Sequence, residues 1–291
     1  MDQANIIKDL LSWLDSHLES PLTLDHVAAK SGYSKWHLQR MFKEVTGQAI
    51  GSYIRKRRLS KSAIALRLTG KSILEIALQY HFDSQQTFTR AFKKQFNQTP
   101  AYYRRINEWN MSCLCPAIDL HPKEMPTFKY VALPDKKLTS MSHPYTCSLT
   151  QISDVLLNYR IQFWQDYLPN LKALPDRLYG LHHATIDHKS GEEQQVFYTT
   201  AVEADSDISS HLEGEIMVIP EQYYACFHYH GPVSQFQQFI IELYSIWLPE
   251  LNLTRVKGFD IETFHPKTAH YTQIPDVIKC DYFIPIKKMV N

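Results

Sequence analysis

The sequence predicts two domains of different fold class: an all-α domain with two helix-turn-helix motifs joined by a long helix, followed by an α+β domain. The first hundred residues repeat one helical pattern at a separation of 49 to 50 residues, and the later residues alternate β-rich runs with two long amphipathic stretches. A chain of 291 residues is long enough to give each domain its own core. We predict domains at 1–106 and 122–291, with a linker at 107–121.

The two predicted domains differ in charge. Residues 1–110 hold 17 Lys/Arg and 9 Asp/Glu, whereas the remaining residues hold 14 Lys/Arg and 21 Asp/Glu. A basic segment attracts a polyanion and an acidic segment repels one. The first domain is therefore expected to bind double-stranded DNA, and the second to have a different partner.

Several classes of protein are disfavoured by the sequence. No apolar run approaches the roughly 20 residues that span a bilayer, and the N-terminus is not a signal peptide, which predicts a cytoplasmic protein with no membrane partner. The five cysteines are odd in number and scattered, as is typical of reduced thiols. Cys113 and Cys115 lack a second pair, and no phosphate loop or nucleophile elbow occurs. We expect no metal, no cofactor and no catalytic residue.

The first helix-turn-helix unit follows an opening amphipathic helix that is predicted to end near Pro21. Its apolar residues recur at helical spacing: Ile6, Ile7, Leu10, Leu11 and Leu14. Thr23 is predicted to cap a short helix, and Gly32 can supply a turn position with positive φ. Ser34 or Lys35 then opens the next helix.

The second unit repeats this order. Ser72 and Glu75 form a capping-box pattern, a turn follows at residues 80–82, and Asp83 or Ser84 caps the next helix. Equivalent residues are 49 apart before the turn and 50 apart after it. One residue has therefore been inserted where a turn tolerates it, which indicates a duplicated unit.

The second helix of each unit carries a polar stripe opposite an apolar one. The polar residues are Trp36, Gln39, Arg40 and Lys43 in the first unit, and Gln86, Thr89, Arg90 and Lys93 in the second. Arginine can bond bidentately to guanine and glutamine to adenine, and lysine can neutralise phosphate. These stripes suit a DNA major groove, and two of them let a single monomer read two groove segments.

A long helix from Ala49 to Leu68 is predicted to join the two units. Twenty residues span about 30 Å, close to the ~34 Å between successive major grooves on one face of DNA. Its basic cluster, residues 55–58, supplies positive charge or merely forms a solvated helix face.

Residues 5–105 resemble the AraC/XylS-type DNA-binding domain. The signature positions are Ile73–Ala77, Phe82, Phe88, Arg90–Lys94, Thr99–Pro100 and Tyr103–Arg104, and Gly32–Phe42 is similar to the branch of multidrug- and superoxide-response activators. The resemblance implies that Trp36, Gln39 and Arg40 contact one groove segment. It implies that Gln85, Gln86, Thr87 and Arg90 contact the other. His81 departs from the family, which usually has glycine there; a left-handed histidine is costlier than glycine but tolerable.

The residues implied to contact the groove can also have purely structural roles. Trp36 can be a surface aromatic, Arg40 and Arg90 can form helix salt bridges (Arg40 with Glu44), and Gln85 and Thr87 can merely cap their helix.

The second domain is predicted from six β-rich runs and two amphipathic helices. The strands are Lys129–Leu133, Lys137–Ser142, Gln195–Ala201, Glu215–Ile219, Tyr223–His230 and Lys279–Pro285, and the helices are Leu149–Tyr167 and Val233–Pro249. A strand precedes each helix, which indicates duplicated β-α-β units. Such units can form one antiparallel sheet with both helices on a single face.

This half resembles the GyrI-like small-molecule-binding domain over about residues 120–288, most specifically at Tyr223–Gly231 and Gly258–Phe264. The resemblance places Glu262 in an aromatic ligand pocket, where a carboxylate favours a cationic ligand. The alternative is a surface glutamate paired with Lys257 or Arg255. Aromatic candidates for the cleft are Tyr145, Trp164, Tyr198, Tyr229 and Trp247, all of which can instead be ordinary core. The histidines considered for metal binding, but favoured as ordinary side chains, are His182, His183, His188, His228 and His230.

The resulting expectation is a nucleoid-associated transcriptional activator that binds an asymmetric two-element site as a monomer. By resemblance it contacts RNA polymerase and serves stress, antibiotic, superoxide and solvent tolerance. Its second domain is expected to sense an amphipathic small molecule or to gate activity by exposing or sequestering the protein. Three alternatives stay open. The second domain can be a small-molecule hydrolase or a ligand-free interaction module, or the protein can be an architectural DNA binder.

Overall fold

The chain divides into two compact units in a computed structural model. The structure describes residues 3–109, 111–118, 124–147, 149, 151–167, 175–186, 194–206, 209, 212–265 and 276–288. The helical unit comprises Met1–Arg67, Ser72–Arg105 and Met111–Glu124, and the sheet unit comprises Leu68–Lys71, Ile106–Asn110 and Met125–Asn291. In the described parts of the chain, no helix is long and apolar enough to cross a membrane.

The helical unit contains seven helices among its described residues. They are α1 (Gln3–Ser16), α2 (Leu24–Ser31), α3 (Lys35–Thr46), α4 (Ile50–Leu68), α5 (Ile73–Gln79), α6 (Gln85–Phe96) and α7 (Pro100–Arg105). The opening helix ends at Ser16, earlier than the predicted end near Pro21, because a turn closed by the His17 amide and the Leu14 carbonyl follows it.

The repeat predicted from the sequence is present in the backbone. Equivalent positions are the N-caps Thr23 and Ser72, the left-handed residues Gly32 and His81, the N-caps Ser34 and Ser84, and the left-handed C-caps Gly47 and Asn97. The first two pairs are 49 residues apart and the last two are 50 apart. The inserted residue is therefore Asp83, because the left-handed turn precedes it and the N-cap of α6 follows it. His81 has a φ of 58°, the left-handed conformation considered for it.

Each unit of the repeat buries its own apolar stripe. One core cluster joins α1, α2, α3 and the first turns of α4, through Leu38, Phe42 and Tyr53 among others. In the second unit Phe88, Phe92, Phe96 and Tyr103 form a chain of ring contacts with centroids 4.4 to 5.5 Å apart. Aromatic pairs at these separations stabilise a core beyond the area they bury.

The sheet unit is a single antiparallel sheet with its helices on one side. The strands are β1 (Phe128–Leu133), β2 (Lys136–Tyr145), β3 (Leu178–Ile186), β4 (Gln194–Glu203), β5 (Glu215–Ile219), β6 (Gln222–Pro232), β7 (Asp260–Phe264) and β8 (Val277–Pro285), in the order β1-β6-β8-β7-β3-β4-β2-β5. The helices are α8 (Ile152–Tyr167) and α9 (Val233–Glu242), the second continuing through a π-helical turn, Leu243–Trp247, into the short α10 (Leu248–Glu250).

The two faces of the sheet are distinguished by alternation along β7. Asp260, Glu262 and Phe264 face the helices, since Glu262 bonds to Arg160 of α8 and Asp260 bonds to Tyr244 of the π-helical turn. Ile261 points the other way, into a second cluster that includes Leu138, Tyr179 and Tyr224 among others. The prediction of both helices on one face is confirmed.

Two strands were not predicted from the sequence. β7 is buried at all five positions, so it lacks the alternation that marks a strand with one solvated face. β3 contains Gly180 and the pair His182–His183, which interrupt its apolar pattern. The other six strands lie where the sequence placed them, each within three residues at its ends.

The segment predicted as a linker has no helix or strand over its described residues, but it is packed. Trp109 is fully buried in the sheet unit, where its amide donates to the Arg255 carbonyl at 2.7 Å and its ring stacks on Tyr244 at 5.1 Å. Further along, the Cys115 amide donates to Ser60 Oγ of α4 at 2.8 Å within the helical unit. The two ends of this segment therefore belong to different units.

Candidate functional site

The first candidate site is the exposed stripe of α3. Ser34 caps this helix by accepting from the His37 amide at 3.3 Å, and Leu38, Met41 and Phe42 bury its inner side. The predicted reading residues Trp36, Gln39, Arg40 and Lys43 are all exposed, and Trp36 is 70% exposed. A tryptophan this exposed lies outside the core and is available to a binding partner.

Arg40 is held by its neighbours on the same helix. Its Nε donates to Glu44 Oε1 at 2.8 Å, and its guanidinium carbon lies 5.8 Å from the centre of the Trp36 ring. The hydrogen bond from Arg40 to Glu44 and the negative charge of Glu44 raise the pKa of Arg40. The salt bridge that the sequence left open for Arg40 is thus present, and it lies on the same exposed surface as the reading stripe.

The exposed stripe of α6 is the counterpart in the second unit. Gln85, Gln86, Thr87, Arg90 and Lys93 are exposed and Thr89 is half-buried. Ser84 caps the helix by accepting from the Thr87 amide at 3.2 Å, and the Thr87 hydroxyl lies 3.0 Å from the Ser84 hydroxyl. The cap is therefore Ser84 rather than Gln85 or Thr87. Within the described residues Arg90 has no ion-pair partner, so its salt-bridge alternative is not realised.

Both helix-turn-helix motifs of the helical unit contact the long helix α4. Its first turns lie in the core of the first unit, and near its end Arg67 Nη1 donates to the Arg104 carbonyl of α7 at 2.8 Å. Gln95 of α6 donates to Ser60 Oγ in the middle of α4 at 3.2 Å. The units also meet directly, because His81 Nε2 lies 3.0 Å from the Glu19 carbonyl. This bond gives the histidine at the left-handed turn a role that glycine lacks.

The basic cluster at residues 55–58 is only half available to a partner. Arg57 is 2% exposed and pairs with Asp15 at 2.6 Å, and its Nη1 also donates to the Cys115 carbonyl. Arg58 donates to the carbonyls of Leu18 and Ser20, which satisfies backbone groups after the end of α1. The expectation of a solvent-facing cluster is therefore wrong for these two residues, while residues 55 and 56 are exposed.

The second candidate site is a buried charge cluster beneath α8. Glu262 is fully buried; Arg160 donates to both of its carboxylate oxygens, at 2.9 and 2.5 Å, and Tyr198 donates at 2.8 Å. His182 Nε2 lies 3.0 Å from Glu262 Oε1. Burial alone would raise the pKa of Glu262, but the charge of Arg160 and the hydrogen bond to His182 outweigh it and lower the pKa to about 2.

Gly180 is required beside this cluster. A Cβ at that position would collide with Tyr198 Oη and Glu262 Oε2. The absence of a side chain lets β3 carry its backbone past the carboxylate, and no larger residue fits without displacing it.

A second buried carboxylate, that of Asp260, lies two residues before Glu262 on β7 and faces the same side of the sheet. Arg255 Nη2 donates to Asp260 Oδ1 at 2.8 Å, Tyr282 donates to Oδ2 at 3.3 Å, and Tyr244 donates to Oδ2 as well. The alternative in which Glu262 pairs with Arg255 or Lys257 at the surface is therefore wrong. Arg255 is committed to Asp260, and Glu262 has Arg160.

All five predicted cleft aromatics are buried, and of these five only Tyr198 bonds to Glu262. Trp164 meets Phe264 at 5.5 Å, Tyr229 donates to the Pro232 carbonyl at 2.6 Å, Tyr145 donates to the Leu68 carbonyl at 3.4 Å, and Trp247 is buried. The partners of Glu262 were mostly missed. The sequence indicates Tyr198 only as a cleft aromatic and His182 only as a metal-ligand candidate, and the signal for Arg160 is an arginine inside the apolar stripe of α8.

The histidines form no metal centre in the described part of the chain, where no group of three or more potential ligands comes together. His228 Nδ1 is 2.7 Å from Asp281, and His265 Nε2 is 3.3 Å from the same carboxylate. Burial lowers the pKa of His183 to about 4 and keeps that ring neutral. His188 lies outside the described residues.

Comparison with known proteins identifies both halves of the chain. Residues 27–106 match a helix-turn-helix domain family, and residues 126–287 match the GyrI-like small molecule binding domain. Both resemblances stated from the sequence are confirmed by these matches.

Relatives of full length are also found. The chain is 52% identical over 289 residues to the right origin-binding protein of Escherichia coli K12 and 51% identical over 292 residues to the transcriptional regulator Rob of Salmonella typhimurium. Each match covers 99% of this chain and 100% of the relative. The regulatory protein SoxS of E. coli K12 is 53% identical over 104 residues, which is 36% of this chain and 97% of SoxS. These relatives are named as origin-binding or regulatory proteins, and not as enzymes.

Proposed function

The chain belongs to the family of the right origin-binding protein and Rob, DNA-binding regulators with an AraC-type helix-turn-helix domain and a GyrI-like domain, and we propose that it binds DNA as a monomer. In this proposal α3 and α6 enter two segments of the major groove, and each reads one element of an asymmetric site. The reading residues are Trp36, Gln39, Arg40 and Lys43 on α3 and Gln85, Gln86, Thr87, Thr89, Arg90 and Lys93 on α6.

The observation that supports this proposal is that α3 and α6 carry equivalent polar stripes and are joined by one helix, α4. Both helices begin at a serine N-cap, end at a left-handed residue and bury an apolar side opposite the polar stripe, with one phenylalanine in α3 and three in α6. α4 has 19 residues, a length of about 28 Å, which is close to one turn of B-DNA, about 34 Å. A rigid element of that length suits two readers on one face of a duplex.

The experiment is selection of bound duplexes from a random pool by the full-length chain, followed by measurement of the protein-to-DNA ratio on the selected sites. We expect two different motifs about one helical turn apart, bound by one copy of the protein. A palindromic site bound by two copies would contradict the monomer. Equal affinity for selected and random duplexes at physiological salt would instead support an architectural binder.

Activation of transcription is the second part of the proposal. A monomer on an asymmetric site has one orientation relative to a promoter, which suits a directed contact with RNA polymerase. The expected targets are genes of stress, antibiotic, superoxide and solvent tolerance. Addition of the protein to polymerase on a promoter bearing the selected site should raise transcript yield, and a yield that stays flat or falls would contradict activation.

For the sheet unit we propose the binding of an amphipathic small molecule at the buried carboxylate. Glu262 is charged, fully buried and held by one arginine, so a cationic ligand that takes the place of Arg160 can keep the charge balanced. Trp164, Tyr145, Tyr229 and Trp247 are the aromatic candidates around it.

Titration calorimetry of the full-length chain tests this, with cationic aromatic compounds, bile-salt-like compounds and fatty acids as probes. We expect saturable heat with the cations and its loss in Glu262→Gln. Absence of heat with all three classes would favour a ligand-free interaction module, and turnover of a small electrophile would favour a hydrolase.

A further inference from the structure

Arg40 on α3 contacts a neighbour on each side along the helix, whereas the equivalent arginine on α6 lacks both of these neighbours. Trp36, Arg40 and Glu44 follow one another at intervals of four residues, so they lie on one side of the helix. Arg40 contacts both neighbours, with Nε bonded to Glu44 at 2.8 Å and the guanidinium over the Trp36 ring. The side chains of Arg40 and Glu44 are 62% and 49% exposed, so a duplex can reach the pair.

The bond to Glu44 selects which edge of the guanidinium is offered to a base. An arginine can present two neighbouring N–H groups to guanine O6 and N7 either at its end, through Nη1 and Nη2, or at its side, through Nε and one Nη. Glu44 occupies Nε, and among the described residues Nη1 and Nη2 of Arg40 have no partner. The end-on fork is therefore the one available.

The second helix-turn-helix motif allows α3 to be compared with the equivalent helix, α6. With the offset of 50 residues, Arg40 corresponds to Arg90 and Lys43 to Lys93, but Glu44 corresponds to Lys94 and Trp36 to Gln86. The arginine of α6 thus has neither the carboxylate nor the aromatic ring beside it. Its stripe also carries one more positive charge and one fewer negative charge than that of α3.

We propose that Glu44 is a positioning residue that sets the base preference of α3 by holding Arg40 in the end-on orientation. This inference rests on the proposed function, in which α3 reads one element of the site. Holding a long side chain in its bound conformation reduces the entropy that is lost on binding. α3 accordingly depends more on base contacts, and α6, with Lys94 in the same place, depends more on phosphate neutralisation.

The test compares base preference in the full-length chain for Glu44→Ala, Glu44→Gln and the matched variant Lys94→Ala. Duplexes carrying all four base pairs at each position of the selected site are ranked by affinity at several salt concentrations. Glu44→Ala should lower the discrimination between the best and the next base pair by about fivefold or more at one position of the α3 element. Glu44→Gln should retain most of the discrimination, because its amide oxygen can still accept from Nε.

The control variant, Lys94→Ala, is expected to change overall affinity and its salt dependence rather than base preference. Lys94→Ala should weaken binding to all sequences alike and reduce the slope of log affinity against log salt by about 1, with base preference unchanged. If Glu44→Ala alters only thermal stability and leaves the preference at the α3 element intact, Glu44 is a helix-stabilising residue and the proposal is overturned. Failure of the proposed function is a separate result, since the unmodified chain would then select no α3 element at all.

Discussion

At the scale of single residues, the charges on α3 and α6 differ in burial from those on the helix-covered face of the sheet. In the helical unit the charged side chains on α3 and α6 are exposed, and each is available to a partner or to a neighbour one turn away. In the sheet unit Arg160 and Glu262 are buried and committed to each other. Exposed pairs contribute little to folding, whereas removal of one member of a buried pair leaves an uncompensated charge.

The first prediction concerns the two reading arginines. Arg40→Ala and Arg90→Ala should each weaken binding by about 5- to 150-fold and relax base preference in one element only. The elements should be different for the two variants, because in the proposed complex the two helices enter different groove segments. Affinities for duplexes with either element scrambled check this, and loss of preference in the same element for both variants would contradict the assignment.

The second prediction concerns Glu262, whose pKa is lowered to about 2 from an ordinary value of 4.5. A carboxylate with a lowered pKa stabilises the fold above its unfolded pKa, and this contribution is lost as the pH falls through its folded pKa. Stability contributed by Glu262 should therefore decline between about pH 5 and pH 2. Glu262→Gln should cost about 3–5 kcal/mol near neutral pH, because it leaves the charge of Arg160 buried without a counterion.

Hydrogen exchange of strands β3 and β7 across this pH range measures the effect in the unit concerned. The unmodified chain should lose protection more steeply on acidification than Glu262→Gln, which lacks the titrating group. Parallel curves for the two proteins would show that folding does not lower the pKa of Glu262.

The sequence revealed the residues of the helical unit better than those of the sheet unit. Trp36, Arg40 and Arg90 are exposed as the helical spacing predicts, because an amphipathic helix needs only its own sequence to show which side is polar. The partners of Glu262 come from α8, β3 and β4, so no local pattern could bring them together. In the sequence, the only sign of Arg160 is a charged residue within the apolar stripe of α8.

At the scale of elements, local signals were decisive where caps and turns define a helix. Thr23, Ser34, Ser72 and Ser84 each accept a hydrogen bond from the first turn, and Ser72 forms a reciprocal capping box with Glu75. Such caps are readable from sequence, since they need particular side chains at fixed spacing. β7 carries no such signal, because a strand buried on both faces does not alternate.

The third prediction uses the matched caps of the two reading helices. Ser84→Ala removes the acceptor for the Thr87 amide, and Ser34→Ala removes the acceptor for the His37 amide. Each should lower the free energy of unfolding of the helical unit by about 1 kcal/mol. Because residues 85–87 form the first turn of α6, Ser84→Ala should also weaken binding to the α6 element.

Thermal unfolding gives the stability of both variants, and binding to duplexes with either element scrambled gives the effect on each helix. Ser34→Ala serves as the control, since it should affect the α3 element and spare the other. Equal losses at both elements for both variants would show that the caps act only through overall stability.

At the scale of the whole molecule, the charge asymmetry of the sequence follows the division into units. The basic half of the sequence contains α3 and α6, and the acidic half forms a sheet whose buried face contains two compensated carboxylates. The residues between them divide, with Ile106–Asn110 in the sheet unit and Met111–Glu124 in the helical unit. A segment predicted as a plain linker is thus part of both.

The central claim is that α4 fixes two readers at a separation matched to one turn of DNA. The most direct measurement is the affinity of the full-length chain for the selected site with five or ten base pairs inserted between its elements. Five pairs turn one element to the opposite face of the duplex and ten move it one turn further along. We predict that the original spacing binds best as a one-to-one complex and that both insertions reduce affinity to that of a single element. Unchanged affinity after insertion, or two copies of the protein on the original site, would contradict the account.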